Sequence, residues 1–488
     1  MQNNATALLF PLDNLPVPPE EICESNDLKA TQMAEIIESC LASYHIDVTI
    51  SAISQGPVFT LFELCLSPGV KVGQIVALEY DLSRALSAEK LRVLRTIPGK
   101  PCVGIEIQNK YRRMVSLREL LGSKVFQETS SPLAIMLGKH ITGQPIIADL
   151  ANIHHLLIAG MTGAGKSVCL DGIILSMLSR ATPEMVRFIM IDPKILDLSL
   201  YQRIPHLLTD VVTDIDNALD VLDRCSLEVD RRYKRMSALG VRNIIGYNER
   251  IEQEKMKGRP IPDPFWRPDS GITTQPILEQ ECYIVVIIDD AAELLKEGGE
   301  RVKNQILELV KNAHFVGIHL ILTATLPSTS SITGAIKNSI PACIALSVRS
   351  RGDSKVILGQ DGAELLLGEG DMLYKAPNST EPLRIHSAFT SEQDIRAMVK
   401  FWNTYEQPQY NNIFNQITQV DEGLDPLFEQ AVEFVIEQRR ASVAGVQRQF
   451  RIGYNRAAKM IEKMEMQGII SYPNHSGNRE VLVPPSYS

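Results

Sequence analysis

Residues Gly160 to Ser167 read G-M-T-G-A-G-K-S, and those residue types at that spacing suit the binding of a phosphate chain. Glycines let consecutive backbone N–H groups converge on phosphate oxygens, and a helix starting at the end of the loop adds the positive end of its dipole. In this arrangement Lys166 neutralises the β- and γ-phosphates and Ser167 ligates Mg²⁺. The expected nucleotide-binding set is Gly160, Met161, Thr162, Gly163, Ala164, Gly165, Lys166, Ser167 and Val168. A second centre is acidic. The apolar run Ile284-Val285-Val286-Ile287-Ile288 delivers Asp289 and Asp290 to its tip. Such a strand end holds Mg²⁺ through a water shell and polarises an attacking water, with Asp289 as the acid on the metal side. A third concentration is cationic: Arg448, Arg451, Arg456, Lys459 and Lys463, with Asn455 among them. Asn with adenine and Arg with guanine are favoured partners in the major groove of duplex DNA, so Arg451, Asn455 and Arg456 are expected to read bases.

These residues need elements to position them. The segment His155–Ala159 is a short apolar run typical of a buried parallel strand, and Val168–Ser179 repeats apolar residues at helical spacing. Strand, glycine loop and helix are the context the phosphate-binding motif requires. Further buried strands are predicted at Phe188–Ile191, Tyr283–Ile288, His319–Thr323 and Ala342–Leu346, with helical segments between most of them. That alternation implies a largely parallel sheet covered on both faces. Met256–Glu281, with five prolines, is expected to be a surface insertion.

On either side of this region the pattern changes. Residues 1–20 carry Pro11, Pro16, Pro18 and Pro19 and read as an extended lead-in. Thr31–Tyr44 has helical periodicity, and Val48–Ile53 and Val58–Leu66 read as strands, so residues 1–125 form a small α/β domain. The nucleotide-binding domain takes residues 126–405, and the Asn- and Gln-rich stretch 406–423 is a flexible linker. Residues 424–488 have the size of a winged-helix module. Phe428–Gln438 is its first helix, and Ser442–Arg448 and Gly453–Ala458 give helix, turn and helix. Ile469–Ser471 and Val481–Val483 form a hairpin wing.

Composition sets limits. At 488 residues the chain allows two to four domains. A net charge of −9 argues against non-specific polyanion binding by the whole surface, so any DNA contact comes from a local basic patch. Eight cysteines without a C-x-x-C pair suggest reduced, mostly buried thiols in a cytosolic protein rather than a disulfide or zinc framework. No apolar run approaches the roughly 20 residues of a spanning helix, so no membrane insertion is expected of this chain.

Together these residues resemble the FtsK/SpoIIIE family of double-stranded DNA translocases. The resemblance runs from about Leu15 to Pro485. It is carried by Ile97-Pro98-Gly99-Lys100-Pro101, by His155 through Ser167, by Arg187–Lys194, by Met236–Asn243 and by Val446–Ala458. It implies a RecA-like P-loop domain with a small N-terminal α/β domain and a C-terminal winged-helix domain. It also implies a ring around duplex DNA, either a homo-hexamer or a mixed ring with a related motor. The winged helix, with Arg448, Arg451, Asn455, Arg456 and Lys459, would read short orienting sequences. The family's role is chromosome segregation at cell division, with activation of a site-specific recombinase, driven by ATP and Mg²⁺. Family members commonly begin with transmembrane helices and a long linker. Neither is present here, which implies a fragment or a soluble paralogue.

Several positions depart from the family pattern. Asp290 stands where the family places a Glu as catalytic base, and a carboxylate displaced by about an ångström can cost about 10²-fold. Thr325 and Leu326 stand for the Gln and Arg of the polar sensor strand, and His314 for an Arg. Lys355 replaces the Arg of an Asp-Ser-Arg segment that is expected to face the neighbouring subunit's nucleotide. Loss of an arginine finger is worth roughly 10³–10⁵ in turnover. Two readings follow. One is a working ATPase and DNA translocase with Asp289, Asp290 and Lys355 in catalysis. The other is a weakened or inactive paralogue that binds ATP and DNA as a scaffold or regulator of an active motor.

Overall fold

The computed structural model describes residues 9–17, 26–88, 90–97, 99–110, 113–195, 197–267, 274–325, 334–406, 408, 414, 427–439, 441–450, 461, 464–465, 469–471, 479 and 481–482. The chain divides into two compact units, Met1–Asn415 and Gln416–Ser488.

The first unit contains two sheets. The smaller is antiparallel, in the order β1-β2-β4-β3, from β1 (Val48–Gln55), β2 (Phe59–Leu66), β3 (Leu91–Leu94) and β4 (Val103–Gln108). Alternation decides its faces. Phe62, Leu64, Val103, Ile105 and Ile107 turn to one side and pack with Ile37 and Leu41 of the helix Asn26–Ser43. Leu61, Glu63, Cys65, Cys102, Gly104 and Glu106 lie at the intervening positions and so belong to the opposite face.

The larger sheet has nine strands in the order β6-β5-β13-β12-β11-β7-β10-β9-β8. They are β5 (Ala134–His140), β6 (Pro145–Asp149), β7 (Leu156–Gly160), β8 (Val186–Ile191), β9 (Tyr283–Ile288), β10 (Ile318–Thr325), β11 (Ala342–Leu346), β12 (Asp371–Lys375) and β13 (Leu383–His386). The five strands from β11 to β8 are mutually parallel, as the sequence pattern predicts. The other four extend the sheet antiparallel from the β11 edge, which the pattern does not reveal. Helix Lys166–Leu178 packs against one face, with Val285, Ile287, Phe188 and Ile158 in the same core. The alternate residues Ile284, Val286 and Ile288 are equally buried beneath the other face, and helix Ala291–Asn312 packs on β10 and on helix Ile215–Ala238. A parallel strand covered on both sides reads as an unbroken apolar run for this reason.

Two segments are more integrated than their composition suggests. Phe10 and Leu15 of the proline-rich lead-in are buried in the core of the large sheet, where Phe10 meets Phe401 edge-on at 5.2 Å. Val115, Leu117, Leu120, Leu121 and Phe126 belong to that same core. In the proline-rich stretch after Met256, Asp263 and Glu281 bind Arg235 at 2.7 and 3.0 Å, and Glu281 also binds Arg231.

Neutral histidines are built into this core. His206 donates Nε2–H to the Ala181 carbonyl at 2.8 Å and meets Trp402 edge-on, and His319 Nδ1 donates to the His154 carbonyl. Burial lowers both to about 4, against about 6.5 in the unfolded chain. Between those values the unfolded chain binds more protons than the folded one. Stability therefore falls as pH drops below about 6.5, by roughly 3 kcal/mol for each group, and the loss levels off below about 4. Urea midpoints between pH 7 and pH 4.5 measure this. A flat profile, or one that His206→Gln leaves unchanged, would overturn it.

The second unit has its own core of Phe428, Ala431, Val435, Ala441, Val446, Ile461, Met464, Ile470 and Val481. Helices Phe428–Gln438 and Val443–Phe450 meet through Phe434 and Phe450 at 5.9 Å. Antiparallel bridges join Ile470 to Val481 and Ala441 to Arg479. The first is the pairing expected of a wing. Among the described residues of the unit-one and unit-two helices, no helix is long and apolar enough to cross a membrane.

Candidate functional site

Four neighbouring parallel strands end together. Ile288 of β9 pairs in register with Ile191 of β8 and Leu322 of β10, while Thr325 of β10 pairs with Gly160 of β7. The chain leaving β7 is the glycine loop, the residue after β8 is Asp192, and the residues after β9 are Asp289 and Asp290. Carboxyl ends of parallel strands are where open α/β sheets bind ligands.

The loop has the backbone that its glycines permit. Gly163 and Gly165 have φ of 78° and 102°, in the left-handed region that glycine occupies without strain. Gly165 is the N-cap of helix Lys166–Leu178. The loop is braced from behind. Met161 donates its N–H to the Ser347 carbonyl at 2.9 Å, and Gly370 donates to the Ala164 carbonyl at 3.3 Å. A Cβ on Gly165 would come within 2.9 Å of the Gly370 nitrogen, so the close approach excludes any side chain there.

Lys166 Nζ donates to the carbonyls of Gly160 and Met161, at 3.3 and 3.0 Å. Burial lowers its pKa, while Asp290 and Asp289 act in the opposite direction. Ser167 donates Oγ–H to Asp197 Oδ2 at 2.5 Å, an arrangement that leaves the oxygen lone pairs for a cation. Asp289 Oδ1 accepts Thr323 Oγ1–H at 2.5 Å, and Thr323 Oγ1 in turn accepts the Asp290 N–H at 2.8 Å. Desolvation raises the Asp289 pKa, and the nearby acids Asp197, Asp192 and Asp290 add to that. The repulsion that these acids impose on the Asp289 carboxylate is what a divalent cation relieves. The side chains at these strand ends offer oxygens, the donors that a hard ion such as Mg²⁺ takes. No group of three or more His, Cys, Asp or Glu that could hold a metal ion occurs among the described residues.

Asp290 adopts left-handed φ/ψ of 45° and 56° as the N-cap of helix Ala291–Asn312, and its carboxylate is ion-paired to Lys194. That hydrogen bond raises the Lys194 pKa. Asp192 organises the loop after β8. Its Oδ1 accepts the N–H groups of Lys194 and Ile195, and its Oδ2 those of Asp197 and Leu198. Asp192 therefore places both Lys194 and Asp197. Asp192 and Lys194 end the Arg187–Lys194 stretch that carries the family resemblance, whereas no local motif marks Asp197. No local motif marks Asp171 either; it is partly buried on helix Lys166–Leu178, where desolvation pushes the carboxyl up to about 7 and Tyr201 donates to it at 2.7 Å.

The remaining expected residues lie elsewhere. Lys355 is on helix Arg351–Leu358, exposed, with its ammonium 3.4 Å from Asp361. Thr325 is the last residue of β10, and Leu326 lies outside the described residues. Arg448 is on helix Val443–Phe450. Arg451, Asn455, Arg456 and Lys459 lie outside the described residues.

Behind the loop a buried charge cluster ties the two sheets of the first unit. Arg384 on β13 donates to both oxygens of Asp371 on β12, at 3.0 and 2.7 Å, and to Glu106 on β4. Its guanidinium also lies 3.8 Å from the centre of the Phe59 ring. Asp371 Oδ2 accepts the Leu367 N–H at 2.8 Å, which pins the turn Gly368–Gly370 whose last residue braces the glycine loop.

Known proteins resemble this chain over most of its length. The FtsK/SpoIIIE family model matches residues 116–330, the FtsK alpha domain residues 9–109 and the FtsK gamma domain residues 422–484. A protein named DNA translocase FtsK from Vibrio parahaemolyticus is 49% identical over 466 residues, covering 93% of this chain and 45% of its own length. A protein of the same name from Shewanella oneidensis is 45% identical over 485 residues, covering 96% of this chain and 52% of its own length. The chain thus spans about half the length of these relatives. Among solved structures, the pCW3 conjugation coupling protein TcpA, a monomer with ATPγS, superposes with a TM-score of 0.50 at 18% identity. The match covers 76% of this chain and 99% of that one, and it shows a common P-loop ATPase fold.

Proposed function

This chain belongs to the FtsK/SpoIIIE family, and on that premise we propose that it is an ATP-driven translocase of double-stranded DNA. One observation carries the proposal. The carboxyl ends of four adjacent strands bring together a braced phosphate loop, a lysine, a serine hydroxyl and two strand-tip acids. Lys166 neutralises the terminal phosphates, and Gly163 and Gly165 turn backbone N–H groups toward them. Ser167 and Asp289 would hold Mg²⁺, which would supply charge neutralisation at the transferring phosphoryl group. Thr323 fixes the Asp289 carboxylate. Asp290 accepts the proton of the attacking water, and Lys194 orients its carboxylate. Lys355, exposed on its helix, serves the nucleotide of a neighbouring protomer in a ring, either a homo-hexamer or a mixed ring with a related motor. The C-terminal unit grips duplex DNA through Arg448 with Arg451, Asn455, Arg456 and Lys459, and reads orienting sequences. The biological setting proposed is chromosome segregation at cell division, on the cytoplasmic side, with a site-specific recombinase as a further partner.

Steady-state ATP hydrolysis by the full chain, with and without long duplex DNA, tests the proposal. DNA-stimulated turnover is expected. Tight ATP binding with no turnover would instead favour a scaffold or regulator of an active motor. The commitment of Asp290 to Lys194 is the observation that favours this second reading. Under it, Asp290→Glu lengthens the carboxylate beyond Lys194 toward the water and raises turnover by up to about 10²-fold. Turnover that is measurable in the wild type and reduced in Asp290→Glu would show that the shorter acid is the working base.

A further inference from the structure

The Ile97–Pro101 motif has no part in the nucleotide site, yet its surroundings are chemically distinctive. Ile97 and Lys100 form an antiparallel bridge around Gly99, whose φ is 76°. Lys100 Nζ then reaches across to Glu63 on β2 and donates to both carboxylate oxygens at 2.7 Å. Two residues after Lys100 comes Cys102. Its Sγ lies 3.4 Å from Sγ of Cys65 and 3.9 Å from Ser51 Oγ. The register explains the proximity. Leu64 pairs with Val103 on the antiparallel strands β2 and β4, so Cys65 and Cys102 occupy the next opposed position. Both thiols are free, with Cys102 buried and Cys65 partly accessible. Opposed residues of adjacent antiparallel strands have Cα and Cβ separations within those a disulfide spans.

We infer that Cys65 and Cys102 are a redox modification site, a dithiol that a hydroperoxide converts to a cross-strand disulfide locking the Ile97–Lys100 turn to β2. The step balances as follows. The accessible Cys65 sulfur attacks the peroxide and forms an S–O bond as the O–O bond breaks, leaving a sulfenic acid and one water. Cys102 sulfur then attacks Cys65 sulfur, the S–O bond breaks, and the departing hydroxide takes the Cys102 proton as a second water. Two thiols lose two electrons, and one hydrogen peroxide becomes two waters. The hydrogen bond with Cys65 and burial both raise the Cys102 pKa, which fits Cys102 as the resolving partner rather than the first nucleophile. The same face of the sheet carries Glu106, which binds Arg384, so the lock acts on strands that contact the large sheet.

The test treats the reduced full chain with one equivalent of hydrogen peroxide and maps cysteines by peptide mass spectrometry. A Cys65–Cys102 cross-link, 2 Da lighter and reversed by dithiothreitol, is the expected product. It should form at least about tenfold faster in native buffer than in urea, because folding holds the sulfurs together. Phenylarsine oxide, which bridges paired thiols, should block it. Cys65→Ser and Cys102→Ala should each abolish it, and the wild-type comparison stands even if a variant folds poorly. Over-oxidation of Cys65 to the sulfinic acid without a cross-link would overturn the inference, as would equal rates in urea and native buffer.

Discussion

Lys166→Ala should reduce DNA-stimulated ATP turnover by at least about 10²-fold while leaving the fold intact. Removing one preorganised donor aimed at developing charge typically costs that much. The geometry makes Lys166 such a donor. Its ammonium is already held at the loop by the Gly160 and Met161 carbonyls, and the neighbouring Asp289 and Asp290 favour its charged form against the lowering by burial. Alanine keeps the helix start, because Gly165 supplies the N-cap and the apolar face of Lys166–Leu178 stays buried. Calorimetry should show weakened ATP affinity, and steady-state kinetics should show turnover near background. Wild-type turnover in the variant would place the catalytic site elsewhere on the chain.

Arg384→Met should destabilise the first unit by about 3–5 kcal/mol, the cost of breaking a buried ion pair from one side. Glu106 and Asp371 are each 1% exposed, so the substitution leaves two carboxylates buried without their cation. The cation–π contact with Phe59 is lost as well. Asp371 also anchors the turn whose Gly370 braces the glycine loop, so ATP affinity should fall alongside stability. Denaturant midpoints measure the first effect and calorimetry the second. Adding Glu106→Gln and Asp371→Asn to Arg384→Met should recover much of the stability, because neutral groups no longer demand a counter-charge. A loss below about 1 kcal/mol in the single variant would mean the cluster is solvated.

Much of this was legible in the chain. The loop 160–167 announces its own conformation, because glycines at 163 and 165 supply the left-handed backbone that the turn requires. The five parallel strands were visible as unbroken apolar runs. Strands β5, β6, β12 and β13 were not: β6 and β13 are short and only partly buried, β12 opens on the polar Asp371, and β5 has a register shift between Met136 and Gly138 and ends on Lys139 and His140. Phe10 was hidden by its prolines, since local composition says nothing about a distant aromatic partner such as Phe401.

The sequence by itself determined the chemistry available: a phosphate loop, acids at an apolar strand tip, and a basic helical module. The first two are each encoded within a dozen contiguous residues, where spacing alone imposes geometry. Only the tertiary structure decided which partners those groups meet. Asp197 reaches Ser167 from 30 positions away, Thr323 reaches Asp289 from 34, Lys194 reaches Asp290 from 96, and Arg384 reaches Glu106 from 278. Such pairings depend on strand order and register. Those are set by burying apolar faces over the whole chain, not by any local run of residues.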